Sequence, residues 1–245
     1  MTGLGSIDAA PYMLAFGFVL LAAFFVHESR RESMEKAAII RVSMFRQSRT
    51  FTFSCLAALL NYGATFAISY EMSIYLQVIL GIPSGKAGFM LITMPAAQAL
   101  LSPLTGSLSD RIRPSVLAST GMGICAFTLL LYSRINENTS VFYVMTVMCI
   151  TGMGFALFSS PNTNAILSCV SNKDYGVANS IIATMRTYGQ SSGMAILSSI
   201  TAIVLGTGTL EASPHTDILH MMHVSFITFA FICILGIFFS LTRDR

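Results

Sequence analysis

Polar side chains inside long apolar stretches are the residues of this chain that could do chemistry. Arg186 lies nine residues into an apolar run, about 13 Å along a helix. Inserting an arginine at mid-membrane costs about 2.5–3.5 kcal/mol, so it should face a protein interior or water. Asn179, Arg186 and Gln190 fall at i, i+7 and i+11, on one face of a helix. This stripe predicts a substrate or proton pathway; the alternative is a structural arginine bonded to carbonyls of a neighbouring helix.

Glu71 is the one carboxylate that stands clearly inside an apolar run. A carboxyl group removed from water there could carry protons. It also lies twenty residues beyond Phe51, near 30 Å along the helix, which fits an interfacial anchor among the outer headgroups. Both interpretations stay open. Further polar residues predicted to line a pathway are Asn61, Tyr75, Gln98, Asn162 and Asn164.

Asn162 and Asn164 follow Pro161, which removes one backbone donor from its helix. The carbonyls that lose their partner could then face a cavity beside the two amides. Capping of a helix end is the alternative for both asparagines.

A short charged turn, Gly106-Ser-Leu-Ser-Asp110-Arg111, separates two apolar runs. Gly106 would let two helices approach closely. Asp110 could cap the following helix or pair with a basic group on another one, while Arg111 would remain at the inner interface. Such a charge cluster could lock one arrangement of the helices and release another. The alternative is a turn that only sets topology.

Seven apolar runs must position these residues, at 11–26, 51–80, 87–109, 116–133, 141–170, 177–205 and 221–241. The chain is 54% hydrophobic and 10% charged, against about 25% charged in soluble domains. A run of about 20 apolar residues spans a bilayer, where only a helix satisfies its own backbone groups. We therefore predict an all-α polytopic membrane protein.

Small residues should let these helices pack closely. Gly189 and Gly193 form the small-xxx-small pattern of membrane helix pairs, and Gly152 and Gly154 could act similarly. The five cysteines stand singly in apolar runs, so no metal site or cofactor is predicted. Walker, nucleophile-elbow and HExxH motifs do not occur, so we predict that the chain is not an enzyme. The net charge of +3 is too small and scattered for nucleic acid.

The distribution of lysine and arginine predicts the topology. Residues 27–50 carry six basic residues, so this segment should be cytoplasmic. Counting alternately places the N-terminus outside and the C-terminus inside the cytoplasmic (plasma) membrane. The predicted organisation is a leading helix at 1–26, a linker at 27–50 and a six-helix bundle at 51–245.

The charged turn resembles the loop signature of the major facilitator superfamily, glycine-x-leucine-small-aspartate-arginine-x-glycine followed by basic residues. Here Arg113 stands in place of the second glycine, with Pro114-Ser115 after it. The stretch from Gly152 to Asn164, with Arg186-Thr-Tyr-Gly189-Gln190, is similar to the C-terminal half of the fourteen-helix drug:proton antiporters.

The resemblance implies one six-helix transporter repeat preceded by one of the family's two extra central helices. It implies proton-coupled export of drugs or amphipathic small molecules by alternating access. It also implies a partner, either an N-terminal half of six to eight helices or a second copy of the chain. The alternative is a membrane fragment or remnant that binds a partner without transporting.

Overall fold

The computed structural model describes residues 42–206 and 213–243, and every regular element in these ranges is helical. The predicted all-α fold is confirmed for this part of the chain. A π-helical turn, Tyr75–Ile79, extends the helix Arg49–Ile74, and a 3₁₀ turn, Asn172–Asp174, precedes the helix Tyr175–Leu205. The α-helices are α1 (Val42–Gln47), α2 (Arg49–Ile74), α3 (Ser84–Leu91), α4 (Thr93–Ser109), α5 (Pro114–Tyr132), α6 (Val141–Ser168), α7 (Tyr175–Leu205) and α8 (His215–Thr242).

The chain divides into two units, Met1–Arg49 and Thr50–Arg245. The first contributes α1 to the described structure. The predicted leading helix at 11–26 and most of the predicted linker lie outside the described residues. The second unit carries the helix bundle and all the site residues considered below.

Within the described residues, five helical segments are long and apolar enough to cross a membrane: Arg49–Ile79, Ser84–Ser109, Pro114–Tyr132, Val141–Ser168 and His215–Thr242. Helix α7 is not among them, although its 31 residues give ample length. Exposed polar side chains, among them Asn179, Arg186 and Thr187, lower its apolar content. A helix that turns a polar face toward a cavity inside a bundle is expected to show this composition.

The predicted span 87–109 is divided into α3 and α4, which meet at Ile92. Pro95 has no N–H to donate to the carbonyl of Leu91, and its ring crowds that carbonyl. The backbone of Ala96 bonds again to Ile92, at 2.9 Å. The interruption therefore follows from one proline near the start of α4, whereas Pro103 and Pro161 lie within continuous helices.

Glycine lets α7 pack directly on the backbone of α2. A Cβ added to Gly193 would lie 2.5 Å from the carbonyl oxygen of Gly63, and one added to Gly63 would lie 2.8 Å from the carbonyl oxygen of Gly189. Gly189 itself faces the carbonyl of Leu59. The small-xxx-small pair thus lies where two helices touch through main-chain atoms.

Helix α6 packs closely on two neighbours. Gly152 lies against Met94 and Ala97 of α4, where an added Cβ would overlap the Met94 carbonyl. On the α5 side, a Cβ added to Gly154 would lie 3.0 Å from the carbonyl oxygen of Gly121. These approaches fix α6 between α4 and α5, and so set the positions of its polar residues.

Candidate functional site

Two adjoining pockets open between α2, α4, α6 and α7, with volumes of about 260 and 200 Å³. They share Tyr62, Gln98, Phe155 and Arg186, and we refer to them together as the polar cleft. One end adds hydroxyl and amide side chains, and the other adds mostly apolar ones, together with two hydroxyl residues and Gln190. The remaining lining residues are Ser159, Ser160, Thr163 and Asn164 at the first end, and Thr65, Phe66, Ser69, Leu91, Met94 and Pro95 at the second.

Arg186 provides the charge of the cleft. It is exposed and lies eleven residues after the start of α7, about 17 Å along the helix. Its guanidinium carbon lies 5.6 Å from the centroid of the Tyr62 ring, within reach of a cation–π interaction. No hydrogen bond or ion pair joins Arg186 to another residue in the described part of the chain. The alternative of an arginine tied to neighbouring carbonyls therefore has no support there.

Four of the nine residues predicted to lie on a pathway line the cleft: Gln98, Asn164, Arg186 and Gln190. Arg186 and Gln190 are one turn apart on α7 and border the same pocket. Asn179, two turns earlier, is exposed but lies outside both pockets. The other four, Asn61, Glu71, Tyr75 and Asn162, are buried between helices and do not line the cleft.

Sequence reasoning missed the aromatic wall of the cleft. Tyr62 and Phe155 pack edge to face with ring centroids 5.4 Å apart. Within an apolar run, aromatic residues look the same whether they pack in a core or line a cavity, so the sequence gives no signal for them. The hydroxyls of Ser159, Ser160 and Thr163 cluster around Pro161, and that clustering could have indicated a polar wall.

Asn162 connects helices of the bundle through hydrogen bonds and does not line the polar cleft. Its amide donates to the Ser54 carbonyl at 3.1 Å and accepts from the Arg243 guanidinium at 2.8 Å. Arg243 also donates to the Ser54 hydroxyl, and its own carbonyl accepts from Thr50. Asn162 and Arg243 are both buried. The prediction that Asn162 faces a cavity is wrong, because a buried arginine at the end of α8 engages its amide.

Tyr75 and Asn61 both lie outside the polar cleft, each for a different reason. The Tyr75 ring is buried and its hydroxyl donates to the Asn136 carbonyl at 2.8 Å, so Tyr75 anchors the segment between α5 and α6. Asn61 is fully buried, and its amide has no hydrogen-bond partner among the described residues. Neither side chain lines the polar cleft, and a role for them in a pathway stays a prediction.

Glu71 lies inside the bundle, so its interpretation as an interfacial anchor is wrong. Its Oε1 is hydrogen-bonded to the Ser225 hydroxyl of α8, and that hydroxyl also lies 3.1 Å from the Met222 carbonyl. A hydroxyl has one proton and cannot donate to both. A protonated Glu71 resolves the conflict by donating to Ser225, which then donates to Met222. The absence of a cation beside Glu71 in the described residues favours the same neutral form.

We expect Glu71→Gln to leave the folded bundle about as stable as the wild type. The amide replaces the neutral acid group and can still donate to Ser225. Glu71→Ala removes that hydrogen bond and leaves a cavity, which should cost about 1–3 kcal/mol. Thermal unfolding in detergent would measure both variants. A glutamine variant as unstable as the alanine variant would indicate an ionised Glu71 in the folded state.

The charged turn ends α4 instead of beginning α5. Asp110 is the C-cap of α4, while Arg113 precedes α5. The prediction that Asp110 caps the following helix is wrong, because three residues separate it from Pro114, where that helix begins. Asp110 is exposed and forms no ion pair with any described residue. Gly106 approaches α6, where an added Cβ would lie 3.3 Å from the Ser160 hydroxyl.

Two consecutive hydrogen bonds connect this turn to the polar cleft. The Asn164 amide, which lines the cleft, donates to the Ser109 hydroxyl at 2.8 Å. Ser109 in turn donates to the carbonyl of Gly106 at 2.7 Å. A shift of α6 at the cleft would therefore displace Ser109, the residue that precedes Asp110.

In an assembled transporter of the kind that the charged turn resembles, Asp110→Asn is expected to impair transport while leaving membrane abundance near normal. A carboxylate at the negative end of a helix is locally unfavourable, so loss of its charge should not weaken the fold. If Asp110 pairs with a basic group in one conformation, the neutral amide removes that pair. Transport rate and abundance should be measured together, with Ser107→Ala as the matched exposed control. A parallel fall of both quantities would instead mean that Asp110 serves folding.

Long apolar helices that enclose a polar, arginine-lined cleft are typical of a polytopic integral membrane protein. The chain belongs to the Major Facilitator Superfamily, whose family model matches residues 54–245. The resemblance seen in the charged turn is thereby confirmed at the level of the family.

Several curated transporters are similar to the chain. It is 29% identical to the uncharacterized transporter YebQ of Escherichia coli over 73% of its length, and 24% identical to the riboflavin transporter RibZ of Clostridioides difficile over 95%. It is 28% identical to the multidrug resistance protein Stp of Mycobacterium tuberculosis over 80%. The matches span 38%, 51% and 35% of these relatives. The chain therefore corresponds to about half of each relative or less.

Proposed function

We propose that this chain is the C-terminal part of a secondary active transporter that exports drugs or other amphipathic small molecules in exchange for protons. The observation that carries the proposal is the exposed Arg186 in the middle of α7. At that depth, lipid is a costly environment for a guanidinium group. The cleft around it is therefore suited to face water and a solute.

A second wall would complete the cavity. We propose that an N-terminal half of six to eight helices supplies this wall, with a second copy of the chain as the other candidate. The share of each relative that the chain matches, 35–51%, supports a larger transporting unit. Alternating access would then rock the two bundles about the cleft. The names of Stp and RibZ support small organic substrates, although each name describes that relative alone.

Proton coupling would use the buried carboxyl of Glu71. Its hydrogen bonds fit the protonated form, and a rearrangement of α2 and α8 that admits water would allow the proton to leave. We further propose that the protein resides in the plasma membrane with its C-terminus in the cytoplasm, as the six basic residues of 27–50 indicate. Cysteine labelling at Ser33 and Ser213 should then show opposite accessibility from outside the cell.

Efflux from a drug-sensitive host tests the function. Expressed alone, the chain should leave the inhibitory concentration of amphipathic drugs unchanged, because one bundle provides one wall. Co-expressed with a matching N-terminal half, it should raise that concentration, and an uncoupler should abolish the rise. Equal resistance with and without the second half would contradict the need for another bundle. If resistance never rises in either case while both halves reach the membrane, the non-transporting alternative would be supported.

A further inference from the structure

We propose that the polar cleft selects aromatic anions over aromatic cations. This inference rests on the proposed function and narrows its substrate class. Among the described residues that line the two pockets, Arg186 is the one that is charged, and none is an aspartate or glutamate.

The acidic residues of the described structure lie elsewhere. Glu71 is buried between α2 and α8, while Asp110, Glu137, Asp174 and Asp217 are at helix ends or in turns. A cation that entered the cleft would meet a positive guanidinium without a compensating carboxylate on this wall. Like charges brought together in a partly desolvated site repel strongly. The electrostatics of the cleft thus disfavour a cationic solute.

The guanidinium group of Arg186 is available to bind an anion. A guanidinium group has five N–H donors arranged in a plane, and this fork matches carboxylate and sulfonate oxygens in a two-point contact. The guanidinium carbon lies over the Tyr62 ring, 5.6 Å from its centroid. No described residue accepts a hydrogen bond from Arg186, so its N–H donors are left for a ligand.

The residues beside Arg186 favour a ligand that contains an aromatic ring. Tyr62 and Phe155, packed edge to face, form an apolar wall directly beside the guanidinium. Gln98 borders both pockets and can donate to or accept from a polar ring substituent. The hydroxyls of Ser159 and Thr163 line the same wall. A planar ring could stack on Tyr62 or Phe155 while an attached acidic group reaches Arg186.

Two dyes with one scaffold and opposite charge test the inference. Fluorescein is anionic and rhodamine 6G is cationic in mildly alkaline buffer, and both have the same xanthene ring system. The chain would be placed in nanodiscs of phosphatidylcholine, a lipid without net charge, and binding followed by fluorescence anisotropy. Fluorescein is expected to bind at least about tenfold more tightly than rhodamine 6G, which corresponds to one charge-assisted hydrogen bond.

Charge variants at Arg186 sharpen the test. Arg186→Gln should weaken fluorescein binding about tenfold, and Arg186→Glu should reverse the preference in favour of rhodamine 6G. Arg134→Gln removes another exposed arginine, which lies outside the cleft, and should change neither affinity. Equal binding of both dyes by the wild type, unchanged fluorescein binding in Arg186→Gln, or no binding of either dye would overturn the inference.

A transport measurement separates this inference from the function on which it rests. In vesicles that contain the chain with its N-terminal half, failure of the proposed function would appear as no movement of either dye. Failure of the inference would appear as proton-driven movement in which rhodamine 6G is preferred. Movement of fluorescein that falls in Arg186→Gln and persists in Arg134→Gln would support both.

Discussion

Arg186→Ala is expected to abolish transport by the assembled protein while leaving its abundance in the membrane unchanged. The guanidinium group is exposed in the cleft and makes one described contact, the cation–π interaction with Tyr62. Interactions of this kind at exposed sites contribute about 0.5–1 kcal/mol, too little for the fold to depend on it. Loss of the charge removes the strongest ligand-binding group of the cleft. A fall in transport rate of at least about tenfold is therefore expected.

Two further substitutions distinguish charge from geometry at this position. Arg186→Lys keeps the charge but loses the planar fork, so it should restore part of the rate. Arg134→Ala removes an exposed arginine beyond the cleft and should behave as the wild type. Drug accumulation in whole cells and abundance by immunoblot would be measured in parallel. Full transport by Arg186→Ala would show that the cleft is not the solute pathway.

Gly193→Leu is expected to prevent α7 from docking on α2, with loss of the folded bundle. A Cβ at this position would lie 2.5 Å from the Gly63 carbonyl oxygen and 2.9 Å from its Cα. The obstructing atoms belong to a helix backbone, so they cannot move aside as a side-chain tip could. Overpacking usually costs about 1–3 kcal/mol. At Gly193 the destabilisation should reach or exceed the upper end of this range, because the two helices must separate.

Gly176 on the same helix provides the matched control. No atom lies within 4 Å of a Cβ built there, so Gly176→Leu should leave the bundle intact. Size-exclusion chromatography of detergent-solubilised protein would report the fraction that is monodisperse, and thermal unfolding would report stability. Gly193→Ala should fall between the wild type and Gly193→Leu. Comparable profiles for Gly193→Leu and Gly176→Leu would mean that α7 does not rely on close backbone contact.

The sequence by itself determined the class of fold. Long apolar runs allow only helices in a bilayer, because lipid offers no partner to backbone polar groups. The described helices accordingly overlap the runs between 51 and 241. The depth of Arg186 within its run could also be read from the sequence, because helical rise converts residue number into distance. The close helix contact at Gly189 and Gly193 could be predicted from their spacing alone.

Only the tertiary structure decided which polar residues share a site. Asn162 and Asn164 are two residues apart, yet helical rotation turns one into the core and the other into the cleft. Glu71 is buried because α8 covers it, and Ser225, its partner, is 154 residues away. Tyr62 and Phe155 line the cleft only because the packing of their helices brings them beside Arg186. Periodicity specifies the face of one helix, but the identity of the neighbour on that face depends on how all the helices pack.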